Sequence, residues 1–473
     1  MYISELQNMK GILNSKQIEY VFLHFRLQFD LPGAVEEYFC FQPESKPAEA
    51  VSKGIIFPLS EQKYTEERVL RINDIPVLFP VSQENEAYSF ENGILRFNHD
   101  FLKSAFYLLS GYQETQDFKA DRFNRFPFED SVQKKLAIVE KPVVNYYFQY
   151  IYDGIKYFCE QMEIQLPSEK NIRQPEFLLT HDVDIVDTYT FRDVLFRLKR
   201  IMMPGNSGQG FAIRTRYFFK YLFNYLNFIN RKNPHWDFEY LLSAARGRGF
   251  KSVFYFLQKG ARGEDSRYSF SELRLKLLFT YVLKNGSEIG LHGATGSATS
   301  LDILKGHKEI LEINAGIPVS GIRQHRLIHK HLETSLLQEE AGFLYDATLG
   351  YAEHEGFRNS FCLPFKLYDF ENDRIPGIWQ IPLVVMDATI FMYRKLDFES
   401  AYSSVLTLIE ECEKFNGLFT LLWHNGNFDE EGYPFGKELF EGILDTVKEK
   451  NFHSSCPVDY INDISSRLEI RKF

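Results

Sequence analysis

The sequence predicts an α/β protein in which a closed or nearly closed (β/α) barrel of seven strands follows a smaller α/β domain. The first observation behind this prediction is the alternation of apolar runs with helical stretches from residue 176 onward, which is typical of βα units. The second is that four of the apolar runs end in short motifs that contain histidine, aspartate or arginine. In a (β/α) barrel the carboxyl ends of the strands meet on one face, where catalytic groups gather.

Seven apolar runs are predicted to form the barrel strands, with helices between them. The strands are expected at residues 177–180, 252–257, 288–292, 319–323, 343–348, 379–385 and 418–424. The helices are expected at residues 237–246, 271–283, 302–314, 399–415 and 437–449. Parallel strands of this kind need burial on both faces, and a barrel provides it.

The first part of the chain, residues 1–165, is predicted to be an accessory α/β domain. Its apolar runs are short, polar stretches that contain proline separate them, and they carry no catalytic motif. Residues 163–175, which include Pro167 and Pro175, are predicted to link this domain to the barrel domain at 176–473.

The connection after the first barrel strand, residues 185–235, is unusually long and is predicted to be an insertion. Between residues 192 and 232 it carries nine lysines and arginines against one acid, Asp193, which gives a net charge of +8 within a chain of net charge −10. One interpretation is a helix that packs on the barrel. The other is peripheral contact with an anionic surface at the inner face of the membrane, or with a lipid-phosphate-linked substrate.

Composition and charge restrict the class of protein. Charged residues make up 25% of the chain and apolar residues 44%, which is typical of a soluble globular protein. A net charge of −10 argues against general nucleic-acid binding, which needs a basic surface. The five cysteines are scattered, and the sequence shows neither a signal peptide nor an apolar run of about 18 residues. The expectation is an intracellular, cytoplasmic protein with reduced thiols.

Two carboxylates close the first barrel strand, in the motif Thr180-His181-Asp182-Val183-Asp184. Ionised carboxylates can bind a hard metal ion or accept a proton, and two of them side by side require a cation nearby. Taken alone, Asp182 and Asp184 could equally be turn residues that cap the next element. Their position at the end of a buried strand, together with three later motifs, favours a chemical role.

Histidines and an arginine follow three later strands. His292 is a candidate metal ligand, because neutral imidazole is the commonest ligand for zinc and similar metals. Arg323 and His325 lie two residues apart and point to the same side of an extended strand. Arg323 could hold a carboxylate in its charged form, and His325 could be a ligand or a substrate contact. His424 could donate a proton to a leaving group.

Five further residues are weaker candidates for substrate contact or for support of the site: His181, Asp346, Arg358, Asp387 and Trp423. Two carboxylates, three histidines and an arginine on one face of a barrel indicate a metal-assisted hydrolase that uses acid/base catalysis.

In their order along the chain, the four motifs resemble those of the polysaccharide deacetylase (NodB-homology) family, over roughly residues 176–430. The motifs are Thr-His-Asp-x-Asp, Glu-Ile-Gly-Leu-His, Gly-x-Arg and a late Leu-x-His, and the ordered set is more specific than any one of them. The resemblance implies a distorted seven-stranded (β/α) barrel that holds one divalent metal ion, usually Zn²⁺. Within the family, the chain resembles a divergent bacterial branch that has an extra N-terminal domain and is often associated with surface polysaccharide synthesis.

The resemblance also implies a role for each motif residue. Asp182 corresponds to the catalytic base, Arg323 to the cation that steadies the base, and His424 to the catalytic acid. Asp184 and His292 correspond to metal ligands.

This chain departs from the family pattern in two places. The aspartates of the family are adjacent, whereas Val183 separates them here, and Gly296 stands where the family has its second ligand histidine. We therefore expect His325, on the same face of the neighbouring strand, to be the third ligand.

The sequence thus predicts a metal-dependent hydrolase of carbon–nitrogen, non-peptide bonds that removes the acetyl group from an N-acetylated sugar or glycan, including a lipid-linked one. A second hypothesis is a catalytically impaired barrel that binds or assembles glycans, which a missing third ligand would favour. A third is another metal hydrolase of the amidohydrolase type, in which His181 and Asp182 would take different roles.

Overall fold

A computed structural model describes residues 11–45, 53–166, 174–202, 210–229, 232–259, 265–429 and 432–470. Residues 1–10 and most of the predicted linker lie outside these ranges. None of the helices within them has both the length and the apolar character that a membrane crossing requires.

The N-terminal region, residues 11–166, combines helices with a small mixed sheet. Its α-helices are α1 (Ser15–Gln28), α2 (Gly33–Glu36), α3 (Phe101–Leu109), α4 (Val132–Lys135) and α5 (Val143–Gln161). Its strands are β1 (Phe39–Pro43), β2 (Gly54–Leu59), β3 (Leu70–Ile72), β4 (Ile75–Val77), β5 (Tyr88–Glu91) and β6 (Ile94–Phe97). The sheet has the order β1-β2-β6-β5, with only the β5–β6 pair antiparallel, and β3 and β4 form a separate antiparallel pair.

The barrel region, residues 174–470, alternates strands and helices. Its strands are β7 (Glu176–Val183), β8 (Ser252–Leu257), β9 (Glu288–Gly293), β10 (Gly321–Gln324), β11 (Tyr345–Asp346), β12 (Trp379–Gln380), β13 (Val385–Met386) and β14 (Leu418–Leu422). Its α-helices are α6 (Phe191–Met202), α7 (Phe211–Leu226), α8 (Phe238–Arg246), α9 (Leu273–Lys284), α10 (Leu301–Ala315), α11 (Glu333–Glu340), α12 (Phe398–Lys414), α13 (Gly436–Glu449) and α14 (Pro457–Ile470), and a π-helix spans Thr389–Arg394. All strand pairs are parallel, in the order β12-β11-β10-β9-β8-β7-β14-β13.

The described sheet has eight strands rather than the predicted seven, because the apolar run at 379–385 forms two. β12 pairs with β11 at one edge of the sheet, and β13 pairs with β14 at the other. Pro382 lies between them and has no N–H to donate to a continuous ladder. Only four residues separate β12 from β13, so the two edges of the sheet are at most about 17 Å apart in space at this connection. The sheet is therefore curled into a nearly closed barrel.

Two tyrosine rings fill the barrel interior. Tyr255 and Tyr345 are fully buried, and their hydroxyl groups lie 3.3 Å apart. A Cβ atom at Gly290 would overlap the ring of Tyr255, and one at Gly321 would overlap the ring of Tyr345. These glycines are therefore required for the neighbouring strands to close around the rings.

A continuous hydrophobic core joins the N-terminal region to the barrel. Phe148 of α5 packs against Phe361 with ring centroids 5.8 Å apart, and both belong to one buried cluster. Beside this cluster, Arg358 donates to both carboxylate oxygens of Glu114 at 2.9 and 2.8 Å, and both side chains are buried. The core therefore spans the domain boundary that the sequence predicts.

Replacing Glu114 with alanine should destabilise the protein by about 3–5 kcal/mol, because the Arg358 guanidinium would stay buried without its carboxylate partner. The free energy of unfolding is measured by chemical denaturation. The matched control is Asp463→Ala, which removes the partner of Arg467 from a pair that is exposed on both sides. That change should cost at most about 1 kcal/mol. Equal losses in the two variants would contradict the importance of the Glu114 pair.

Candidate metal centre

Three side chains converge where β7, β9 and β10 end. Asp184 follows β7 directly, His292 lies in β9, and His325 follows β10. Their ligand atoms all lie within 4.8 Å of one another. His292 Nε2 is 3.3 Å from Asp184 Oδ1, and His325 Nε2 is 3.8 Å from Asp184 Oδ2. The structure thus brings together the three residues that the sequence predicts as ligands.

Hydrogen bonds on the far side of each imidazole determine which nitrogen faces this cluster. His292 Nδ1 lies 2.9 Å from the carbonyl oxygen of Arg323, which can only accept, so Nδ1 carries the proton. His325 Nδ1 lies 3.3 Å from the carboxylate of Asp265, which also accepts. In the neutral form, each histidine therefore directs the lone pair of Nε2 towards Asp184.

The chemistry of these atoms fits a divalent metal ion. Electron-rich atoms that face each other repel unless a proton or a metal ion lies between them. Burial raises the pKa of Asp184, but His325 and His292 outweigh it and hold that pKa well below its usual value. Asp184 Oδ1 is buried without a hydrogen-bond partner among the described residues. One carboxylate and two imidazoles are a donor set that zinc and related ions accept.

Asp265 supports the cluster and was not foreseen from the sequence. Its side chain is only 2% exposed, and its Oδ1 accepts hydrogen bonds from the backbone N and the hydroxyl of Thr295, both at 2.9 Å. The same oxygen accepts from His325, which orients the ring and makes its Nε2 more basic. Asp265 belongs to none of the four sequence motifs, so the sequence carries no signal for this role.

Asp182 lies beside the cluster and is held by Arg323. The Arg323 guanidinium donates to Asp182 Oδ1 and to the hydroxyl of Thr180, both at 2.9 Å. Asp182 Oδ2 is 3.7 Å from His292 Nε2 and 4.0 Å from His424 Nε2. Burial raises the pKa of Asp182, but the charges of His292, Arg323 and His424 outweigh it and the pKa lies below its usual value. Asp182 is therefore ionised at neutral pH.

His424 is paired with Asp387, one of the weaker sequence candidates. Asp387 Oδ1 accepts from His424 Nδ1 at 2.7 Å, and Oδ2 accepts from the backbone N of His424 at 2.8 Å. Burial lowers the pKa of His424, but Asp387 outweighs it, with help from Asp184 and Asp182, and raises the pKa to about 10. His424 is therefore protonated at neutral pH, with Nε2 directed towards Asp182.

A pocket of about 310 Å³ opens over these groups, and the N-terminal region builds one of its walls. Arg122, Phe123 and Arg125 come from that region, and Arg326 comes from the segment after β10. The guanidinium carbons of the three arginines lie 4.6, 5.1 and 5.1 Å from the centroid of the Phe123 ring. Arg125 is tied to Asp121 at 2.7 Å and donates to the carbonyl of Arg326 at 2.7 Å. The sequence gives no indication of this wall.

His181 and Trp423, which the sequence named as substrate contacts or supporting residues, do not line the pocket. Side chains alternate along a strand, so His181 faces the helices where Asp182 faces the barrel interior. His181 Nδ1 donates to the carbonyl of Trp423 at 2.8 Å, and its ring lies 4.6 Å from that of Phe254. The Trp423 ring packs against Phe440 of α13 at 5.1 Å. Both side chains support the outer layer of the barrel.

Asp346 and Arg358 also lie away from the pocket. Asp346 faces His329, whose Nε2 is 3.6 Å away, and burial raises the pKa of Asp346 to about 6. Arg358 binds Glu114 of the N-terminal region, as described above. Of the five supporting candidates, Asp387 contacts the pocket residue His424, whereas Asp346 and Arg358 make structural contacts.

Comparisons with known proteins give distant likenesses. A model described as a family of unknown function (DUF7033) matches residues 16–159, which is less than a third of the chain. No curated protein matches the sequence.

Solved structures with a similar fold include a candidate polysaccharide deacetylase from Mycobacterium smegmatis, at 14% identity, 65% coverage of this chain, 94% coverage of that chain and a TM-score of 0.39. Puue allantoinase is 12% identical, with coverages of 61% and 89% and a TM-score of 0.38. BA3943, a CE4 family pseudoenzyme from Bacillus anthracis, is 10% identical, with coverages of 63% and 71% and a TM-score of 0.29. TM-scores below 0.5 do not decide the activity, which has to be inferred from the site itself.

Replacing Asp265 with asparagine should weaken metal binding by about 10–100-fold, because His325 would lose the carboxylate that orients it and raises its basicity. The affinity for Zn²⁺ is measured by titration calorimetry on protein stripped with a chelator. Asp302→Asn is the control, since Asp302 is an exposed carboxylate in the first turn of α10. Unchanged affinity in Asp265→Asn would show that Asp265 does not support the metal centre.

Proposed function

We propose that the protein is a metal-dependent hydrolase of the polysaccharide deacetylase type, which removes the acetyl group from an N-acetylated sugar or glycan. The observation that carries the proposal is the placement, across one pocket, of an ionised Asp182 and a protonated His424, beside three residues that fit a metal ion. Zn²⁺ is the ion we propose, since one carboxylate and two imidazoles are among its usual ligands.

Hydrolysis of an amide needs a base for the attacking water and an acid for the departing nitrogen. Asp184, His292 and His325 would hold a divalent ion, which would supply a Lewis acid for the acetyl carbonyl. Asp182 accepts a proton from the water, whose oxygen bonds to the carbonyl carbon. As the carbon–nitrogen bond breaks, His424 passes its Nε2 proton to the nitrogen. The products are acetate and an amine.

Neighbouring charges hold Asp182 and His424 in the protonation states that a base and an acid require. Arg323 favours the charged form of Asp182, so the base is available at neutral pH. Asp387 favours the charged form of His424, so the acid is available in the same range. Environments that drive two pKa values apart in this way are typical of an acid/base pair.

The pocket wall supports a glycan as the substrate. Tyr393 and Tyr433 offer aromatic surfaces to a sugar ring, and Arg122 offers a guanidinium group to a carboxylate or phosphate. We propose an N-acetylated glycan that carries negative charge.

A missing metal ligand would favour the alternative, in which the barrel binds glycans without hydrolysing them. Gly296 leaves one family ligand position without histidine, but His325 reaches the cluster from the neighbouring strand. The ligand set therefore supports catalysis.

Asp182→Asn should lower kcat by about 10²–10⁴-fold, because the attacking water would lose its base. Acetate release is measured on a neutral chitooligosaccharide and on an anionic N-acetylated polysaccharide, and zinc content is measured by elemental analysis. Asp182→Asn should keep its zinc, whereas His292→Ala should lose it. Zinc-loaded protein that binds these glycans but releases no acetate would favour the binding function. Loss of zinc from Asp182→Asn would make Asp182 a ligand rather than the base.

Asp387→Asn should move the alkaline limb of the kcat/KM profile to lower pH. Asp387 raises the pKa of His424 to about 10, so removal of its charge lets that pKa fall and the acid is lost earlier as the pH rises. The acid limb, which reports Asp182, should stay in place. Asp463→Asn is the control on the protein surface. An unmoved alkaline limb in Asp387→Asn would show that His424 is not the group that limits activity at high pH.

A further inference from the structure

Half of the exposed large apolar side chains among the described residues lie in one short segment. This segment, which we call the hairpin, consists of α6, α7 and the residues that follow α7, at 191–202 and 210–229. It contains 13 of the 26 such side chains. An exposed apolar concentration of this size marks a surface that meets a partner or a membrane.

The apolar side chains of α6 form a stripe along one face. Phe191, Leu195, Leu198 and Met202 follow the spacing i, i+4, i+7 and i+11, and they are between 39% and 76% exposed. An apolar stripe of this kind normally packs on the protein core. In α6, however, Val194 is the buried residue.

α7 presents a second stripe. Phe219, Phe223 and Leu226 follow the spacing i, i+4 and i+7, and they are 59%, 66% and 68% exposed. None of the residues of α7 is buried. α7 therefore does not follow the interpretation of the insertion as a helix that packs on the barrel, whereas α6 buries Val194.

The two helices pack against each other in opposite directions. Arg197 donates to the hydroxyl of Tyr221 at 3.0 Å, and the rings of Phe191 and Tyr225 lie 5.9 Å apart. Asp193 ties α6 to the barrel through Arg267 at 3.0 Å. These contacts define the hairpin but leave both stripes uncovered.

The hairpin is basic in an acidic protein. Residues 191–229 contain seven lysines and arginines and one acid, Asp193, for a net charge of +6. The chain as a whole carries −10, so all other residues together carry −16. Apolar stripes flanked by basic side chains are complementary to a bilayer with anionic headgroups.

The two ends of the insertion that contains the hairpin lie at the rim of the pocket. Asn425 donates to the carbonyl oxygens of Ile185 and His235, both at 2.7 Å, and all three residues line the pocket. Asn233 donates to the carbonyl of Val186 at 2.7 Å, which holds the start and the end of the insertion together. The hairpin is therefore part of an insertion that begins and ends at the pocket rim.

We propose that the hairpin docks the protein on the surface of an anionic lipid bilayer. The apolar stripes enter the boundary between headgroups and acyl chains, and the lysines and arginines contact the anionic headgroups. This arrangement places the pocket where it meets molecules attached to lipid. The inference stands on the hairpin itself and does not require the proposed hydrolase activity.

Co-sedimentation with vesicles tests the proposal on the full chain. We expect binding to vesicles of phosphatidylcholine with phosphatidylglycerol, weaker binding to phosphatidylcholine alone, and a decrease with added salt. The triple change Phe219→Asp, Phe223→Asp and Leu226→Asp should lower the partition coefficient at least about tenfold. The triple change Lys199→Glu, Arg216→Glu and Lys220→Glu should abolish the preference for anionic vesicles.

The matched control is Leu273→Asp with Leu277→Asp, which changes two exposed leucines on α9 of the barrel. This variant should bind vesicles as the unchanged protein does, and circular dichroism checks that every variant is folded. Failure of the unchanged protein to bind anionic vesicles would overturn the proposal, as would equal binding by the apolar triple variant. A dimer detected by sedimentation velocity would also overturn the proposal if the apolar changes dissociate it and the protein does not bind vesicles. A second copy of the chain would then cover the stripes.

Discussion

Arg323 carries a positive charge at the centre of the barrel with no exposure to solvent, and its neighbours have to compensate for that charge. Removing an ion from water costs several kcal/mol unless a counter-charge and hydrogen bonds replace the hydration. Asp182, Thr180 and the carbonyl of Ala347 provide them, and the ring of Tyr255 lies 4.7 Å from the guanidinium. An ionised carboxylate at position 182 therefore stabilises the barrel, because it compensates for the buried charge of Arg323.

The backbone of the same residue orients a histidine of the candidate metal centre. The carbonyl of Arg323 accepts from His292 Nδ1, which leaves the other ring nitrogen directed at Asp184. His325 follows two residues later, and its Nε2 lies 3.8 Å from Asp184 Oδ2. One short strand, β10, thus connects the stability of the barrel with the position of both candidate histidine ligands. The requirement for Gly321 beside the Tyr345 ring fixes where this strand can run.

The sequence allows the centre of the site to be predicted, because strand ends converge and side chains alternate. Those two rules bring the strand-end motifs together, and the family resemblance then singles out Asp184 and His292, with His325 as the substitute ligand. The same alternation places His181 on the opposite side from Asp182, so motif membership alone is misleading there. The split at Pro382 is harder to foresee, since an apolar run gives no indication that the chain passes from one sheet edge to the other.

Contacts made by irregular segments have no pattern in the sequence. Asp265 and Arg122 reach the site from stretches without regular hydrophobic periodicity, and only the folded chain shows what they touch. The charge of the insertion is evident from composition. Its uncovered stripes are not, because periodicity alone cannot distinguish a helix that packs on a core from one that does not.

The wall formed by Arg122, Phe123 and Arg125 has a consequence for how such a protein diversifies. The residues proposed for proton transfer and metal binding all lie after residue 176, whereas this wall lies before residue 166. Part of the pocket wall is thus encoded apart from the proposed reacting groups. Substitutions or insertions in the loop at 117–126 can change which molecules enter the pocket while those groups stay in place.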